Sequence, residues 1–294
     1  MAFRKQWVAA LVLAGLAGPS ALANGWSDEW GGKLLLTRGI STVEGAGGGG
    51  LASWALITGN ETERGIGGTA HASWVELPDY SFSAQGVALG FYDRFELSYT
   101  RQAFDTEAVG AALGLGQGFT FEQDVFGAKL RLFGDAIYDQ DSWLPQIAAG
   151  VQYKVNNQSA VLNAIGAQDD EGVDLYLAAT KLYLDRSLLL NATVRATRAN
   201  QLGILGFGGD LKDDYQWAGE FSAGYLVNRR LLIGAEYRFK PDNLGLAGGD
   251  DWLDVFAAWA VNEHLTLTAA YVDLGSIVTF EDQRGLYFSI QAGF

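Results

Sequence analysis

Segment after segment of this chain alternates apolar and polar residues one by one. In 286–294, Leu286, Phe288, Ile290, Ala292 and Phe294 share one parity, and Tyr287, Ser289, Gln291 and Gly293 share the other. Leu188, Leu190, Ala192, Val194 and Ala196 likewise oppose Asn191, Thr193, Arg195 and Thr197. Side chains of a strand point alternately to its two faces, so each stretch has one apolar and one polar face. A period of two does not support a helix, and the chain reads as all-β.

The joints between these stretches alternate in length. Asn262-Glu263, Asn228-Arg229, Asp185-Arg186 and Tyr92-Asp93 are tight, whereas 275–283, 241–250, 199–213, 156–171 and 105–121 are long. Residues 135–144 break the rule, being long where a short turn is due. Short turns alternating with long loops mark a transmembrane, antiparallel, up-and-down β-barrel, and a soluble sandwich has no reason to alternate them. The alternation gives about 14 strands, or 12 if the two earliest, 33–40 and 51–59, do not cross the membrane. Each crossing needs ~9–11 tilted residues, and these segments supply them. The aromatics near strand ends, Tyr92, Tyr183, Tyr225, Tyr237, Tyr271 and Trp252, suit the girdles of such a barrel.

The first residues read as an address label. Arg4 and Lys5 precede an apolar run over 7–17, and Ala21-Leu22-Ala23 is a small-x-small cleavage site. The run is shorter than the ~20 residues a spanning helix needs. Residues 1–23 are therefore expected to be a signal peptide and 24–294 the barrel. Loss of Arg4 and Lys5 takes the 20 basic residues to 18 against 34 acidic ones, a net charge of −16. Such a balance excludes nucleic acid as a partner, because a nucleic-acid surface is basic. Cysteine is absent, so there is no disulfide, thiolate metal site or cysteine nucleophile.

If the apolar parity faces lipid, the polar parity lines the lumen. That places Arg94, Glu96, Lys129, Arg131, Lys154, Arg195, Glu220, Glu236 and Arg238 inside. A charge on the lipid face near the midplane costs ~2–4 kcal/mol, which is why their common parity is informative. They either tune an open pore or pair across a closed lumen. Residues 43–51 contain a formal G-x-G-x-x-G at 45–50, but no helix and no Lys-Ser/Thr pair follow, so a phosphate cradle is not expected there. A flexible loop or a tight inward fold is. His71 and His264 stand on strands without a G-x-S-x-G or H-E-x-x-H context, so no catalytic set is read and the chain is not expected to be an enzyme. The acidic groups Asp169-Asp170-Glu171 and Asp250-Asp251 lack calcium-loop spacing and read as solvated outer loops. No cofactor or resident metal is implied.

A Phe ending an amphipathic strand resembles the signal by which outer-membrane barrels are recognised for assembly, here carried by Phe288, Ile290 and Phe294. The chain as a whole resembles an uncharacterised proteobacterial family of outer-membrane β-barrels, catalogued as a domain of unknown function. The resemblance rests on Gly32-Lys33-Leu34-Leu35-Leu36-Thr37, residues 43–51 and 138–146, Ala199-Asn200-Gln201, Lys240-Pro241-Asp242-Asn243-Leu244, residues 270–275 and the closing strand. It implies an outer-membrane location, with membrane lipid, lipopolysaccharide and the barrel assembly machinery as partners. It transfers no functional residue. The expectation is a porin-like barrel for small solutes, the alternative a closed structural or adhesive barrel, with the oligomeric state open.

Overall fold

The structure is a computed structural model and describes residues 32–246 and 249–294. The expected signal peptide and its cleavage site lie outside the described residues.

Two short strands, β1 (Ile40–Ser41) and β2 (Gly47–Gly48), pair only with each other. The next twelve form the barrel: β3 (Ile66–Glu76), β4 (Ser81–Phe91), β5 (Phe95–Asp105), β6 (Thr120–Phe133), β7 (Gln146–Asn156), β8 (Glu171–Tyr183), β9 (Leu188–Thr197), β10 (Gln216–Asn228), β11 (Leu231–Arg238), β12 (Trp252–Ala260), β13 (Leu265–Asp273) and β14 (Arg284–Gly293). Each pairs antiparallel with its neighbours in sequence, and β14 closes the ring on β3 from Leu286↔Glu76 to Gly293↔Thr69. A closed sheet has no free edge, so every ladder amide is satisfied where lipid offers no partner. The crossing count is thus 12, the smaller of the two expected numbers.

Parity does what the sequence demands. Val87, Leu97, Phe126, Leu175, Val194, Phe221, Val255 and Phe288 all stand exposed on the outer wall, from strands right round the ring. A continuous apolar belt of this kind has no place on a soluble protein, and it is what hydrocarbon requires. No described helix is long and apolar enough to cross a membrane; the strands do the crossing. Trp252 is an exception to the expected girdle. It shares parity with Asp254 and Phe256 and is buried inside the barrel.

Turn chemistry explains the tight end. Tyr92 and Asp93 take φ of 58° and 49°, the left-handed pair of a two-residue hairpin. Asn228 Oδ1 accepts the Arg230 amide at 2.8 Å, and Asn262 Oδ1 accepts the His264 and Leu265 amides at 2.8 Å. The long joint 134–145 is held by Asp135 Oδ1, which accepts the Ile137 and Tyr138 amides at 2.7 Å. The opposite end carries the loops 106–119, 157–170, 198–215, 239–251 and 274–283, the side that faces outward in bacterial barrels.

The two earliest segments read as strands do not cross. Residues 36–59 are buried along their whole length inside the ring. Of the two possibilities for 43–51, a loop or an inward fold, the inward fold is what forms.

Candidate functional site

The site is the lumen, and its geometry begins with the glycines of 45–50. The Gly47 amide donates to Glu96 Oε1 at 3.1 Å. The Gly50, Leu51 and Ala52 amides converge on Glu236 Oε2 at 2.6, 2.7 and 3.4 Å, and the Ser53 amide reaches Glu220 Oε2 at 2.8 Å. A β-carbon on Gly49 would fall 1.8 Å from Glu236 Oε1, and one on Gly45, whose φ is +93°, would fall 2.2 Å from Thr100 Oγ1. Glycine is therefore required so that backbone can approach the wall. A glycine-rich turn of bare amides attracts an anion. Here the anions are carboxylates of the barrel itself.

The wall's cations hold the same segment from its carbonyl side. Lys129 Nζ donates to Gly47 O at 2.9 Å, to Leu56 O at 2.8 Å and to Glu96 Oε2 at 3.1 Å. Arg238 Nη1 donates to Leu51 O at 3.0 Å and to Glu44 Oε2 at 2.7 Å. Glu44 is the hub, pairing also with Lys154 and lying 3.6 Å from Arg195 Nη2. Arg195 in turn donates to Glu220 Oε1 at 2.6 Å, Gln152 Oε1 at 2.6 Å and Ser53 Oγ at 3.1 Å, with its guanidinium 5.0 Å over the Tyr176 ring. Lys154 Nζ also reaches Asp174 Oδ2 at 2.6 Å. All of these groups are buried. Charges this deep are tolerated because each is paired and hydrogen-bonded.

Seven of the nine residues expected in the lumen meet there: Glu96, Lys129, Lys154, Arg195, Glu220, Glu236 and Arg238. Arg94 does not. The β4–β5 hairpin closes at Phe91↔Phe95, so Arg94 falls in the turn and is exposed. Arg131 sits at the short-turn rim, where a register shift between Arg131 and Phe133 ends the alternation. It pairs with Asp93 and Asp135 and donates to Gly134 O at 2.7 Å. Sequence reasoning missed Asp174 and Asp254, which parity could have found, because Leu175 and Leu253 flank them on the outer face. It also missed Glu44, for which no alternation exists.

At the short-turn end the segment is fixed by Lys33, 3.3 Å from Glu61 and 2.8 Å from Asp93, and by Arg38, whose Nη2 donates to Thr266 Oγ1 at 2.9 Å. Burial pushes the Glu61 carboxyl up to about 7, against the pull of Lys33. At the long-loop end, residues 201–205 fold back over the lumen. Their carbonyls take Gln123 Nε2 at Leu202 and Asn156 Nδ2 at Ile204, at 3.1 and 2.8 Å. Lys240 lies there with its Nζ 4.6 Å over the Trp252 ring, and burial draws it down to about 7. His71 is buried with no hydrogen-bond partner on either ring nitrogen, so nothing orients it as a general base. No group of three or more His, Cys, Asp or Glu that could hold a metal occurs among the described residues.

Residues 37–291 match the family described as "Protein of unknown function (DUF3034)". No curated protein matches the chain. Among solved structures, a KdgM porin in complex with disordered oligogalacturonate is similar at 10% identity and a TM-score of 0.51, covering 77% of this chain and 99% of that one. An outer membrane channel of the COG4313 group from Pseudomonas putida F1 is similar at 13% identity and TM-score 0.47, over 78% and 95%. Outer membrane phospholipase A from Escherichia coli follows at 9% and 0.42, over 77% and 92%. At these identities the likeness is one of fold: an outer-membrane β-barrel of porin-like build.

Proposed function

The chain belongs to the DUF3034 family of outer-membrane barrels, and from that footing we propose that it is a porin-like channel for small solutes whose path is gated by its own residues 36–61. One observation carries the reading: the lumen stays charged around the segment that fills it. A barrel packed only for rigidity gains more from apolar filling, because buried ion pairs repay their desolvation poorly. A wall lined by Glu96, Lys129, Arg195, Glu220 and Arg238 suits ions and water once the segment moves aside.

In this reading residues 1–23 direct export and are removed. The outer face of Phe288, Ile290 and Phe294 presents the closing strand to the assembly machinery, and the long loops meet lipopolysaccharide. The second reading is a permanently closed structural or adhesive barrel, favoured by the full pairing of the lumen charges with the inner segment. Likeness to a phospholipase at this level carries no argument for enzymatic activity.

Planar-bilayer conductance separates the readings. The wild-type barrel is expected to conduct rarely. Gly49→Val puts a side chain where Glu236 Oε1 lies at 1.8 Å from the β-carbon position, and is expected to raise open probability. Heat-modifiable mobility of the variant checks that the ring has closed. A folded Gly49→Val barrel that carries no more current than wild type overturns the gated channel.

A further inference from the structure

Residues 42–46 are the turn of the β1–β2 hairpin, whose last ladder pair is Ser41↔Gly47, and Glu44 stands at the middle of that turn. It is the only acid between residues 36 and 59. Three wall cations meet its buried carboxylate, and they use both oxygens. Lys154 Nζ donates to Oε1, Arg238 Nη1 donates to Oε2 at 2.7 Å, and Arg195 Nη2 lies 3.6 Å from Oε2. The three come from alternate strands, β7, β9 and β11, and each lies within two residues of its strand's long-loop end. Lys154 Nζ also donates to Leu202 O at 3.1 Å, so the cluster lies directly beneath the folded-back loop.

The wall itself balances these cations only in part. Asp174 lies 2.6 Å from Lys154 and 3.4 Å from Arg195, and Glu220 lies 2.6 Å from Arg195 and 3.6 Å from Arg238. Among the described residues no carboxylate besides these two and Glu44 comes within ion-pair distance of the three. Three cations thus face two acids of the wall, and Glu44 of the inner segment completes the balance. A buried charge without a counter-charge is costly. A lumen from which the hairpin has withdrawn is therefore short of one negative charge at this point.

We propose that Lys154, Arg195 and Arg238 form a binding seat for the carboxylate of a small monoanionic solute, and that Glu44 occupies this seat while the segment is in place. The inference rests on the gated-channel reading and adds the solute's chemical class to it. A carboxylate reproduces two oxygens held by different cations, which the single centre of a chloride ion does not. A dianion brings a second negative charge against Asp174 and Glu220, at low dielectric. Solute and Glu44 exclude one another, so binding of the solute favours the withdrawn state of the hairpin.

The test vacates the seat without requiring the segment to move. Glu44→Ala in detergent micelles is expected to lose its heat-modifiable band at a lower temperature than wild type, because its cations are left unbalanced. Sodium acetate, exchanged for sodium chloride at constant ionic strength near neutral pH, should raise that temperature in Glu44→Ala. Acetamide should not, and wild type should respond to neither. Adding Arg238→Gln leaves two cations against two wall acids and should abolish the acetate response, a result that filling of a void does not predict. A second measurement keeps Glu44 and uses the Gly49→Val channel. Benzoate should block its chloride current at concentrations at least about tenfold lower than benzamide, the factor one charge-assisted hydrogen bond supplies, and Arg238→Gln should remove the difference. No acetate response from a folded Glu44→Ala barrel, an equal response to acetamide, or equal block by benzoate and benzamide would each overturn the seat. A Gly49→Val barrel that carries no current counts against the gate, whereas the seat is then judged by acetate alone.

Discussion

Glu236→Leu is the sharpest test of how the lumen holds its segment. Glu236 Oε2 takes two amides at 2.6 and 2.7 Å, from Gly50 and Leu51, and a weaker third at 3.4 Å from Ala52. Leucine fills similar space and accepts nothing. Two strongly bonded, buried amides left unpaired cost about 1–3 kcal/mol each, or roughly 2–6 kcal/mol together. Removing a carboxylate that faces Asp254 across the β11–β12 pair returns up to about 1 kcal/mol. The net loss, about 1–5 kcal/mol at 1.36 kcal/mol per tenfold, shifts the docked segment toward release by roughly fivefold to several thousand-fold. The chain has no cysteine, so Ser53→Cys supplies a single thiol at a wholly buried point of the segment. Its rate of modification by a small methanethiosulfonate reports release. Adding Glu236→Leu to that background should accelerate labelling by the stated factor while the heat-modifiable band of the closed ring persists. An unchanged rate in a folded barrel would mean that these amide–carboxylate bonds do not hold the segment in place.

Three further outcomes are expected. Glu61 has its carboxyl raised from 4.5 to about 7, so the folded protein binds the proton more tightly than the unfolded one, and stability contributed at low pH is lost as pH rises from about 4.5 through 7; hydrogen exchange of residues 57–61 should show that slope, and Glu61→Gln should flatten it. A thiol introduced by Leu211→Cys, on an exposed long loop, should label from outside intact cells, whereas one at Arg229 on a tight turn should not; labelling of both or neither would refute the orientation. Deleting Phe294 should lower the folded fraction in the membrane without affecting export, since its carbonyl also accepts the Asn60 and Gly68 amides at 2.9 and 3.0 Å; assembly unaffected across expression levels would refute a role for it.

The barrel was readable because its cause is local. Two-residue parity in 188–197 or 286–293 follows from one strand having lipid on one side and side chains on the other, and each strand carries that record alone. The same parity located Glu96, Lys154 and Glu236. It failed where strands stop, at Arg94 in a hairpin turn and Arg131 beside a bulge, since parity has no meaning beyond the last ladder pair. The filling of the lumen was not readable. Residues 36–59 are held largely by partners 38 to more than 200 positions away, such as Glu96 for Thr58 and Gln291 for Ser41, and no periodic pattern encodes contacts of that range. Only the glycine run hinted at it, and its amides meet glutamates rather than a phosphate.

The carbonyl of Phe294 ties the seam of the ring to the segment inside it. It caps the base of the inner segment at Asn60 and the start of the first barrel strand at Gly68 together. The strand that completes the ring therefore also completes the footing of what lies inside it. Higher up, the wall grips the segment through Glu96, Lys129, Arg195, Glu220 and Glu236, so a ring lacking the β14–β3 pairing would have both an open side and two fewer ties at the base of its interior.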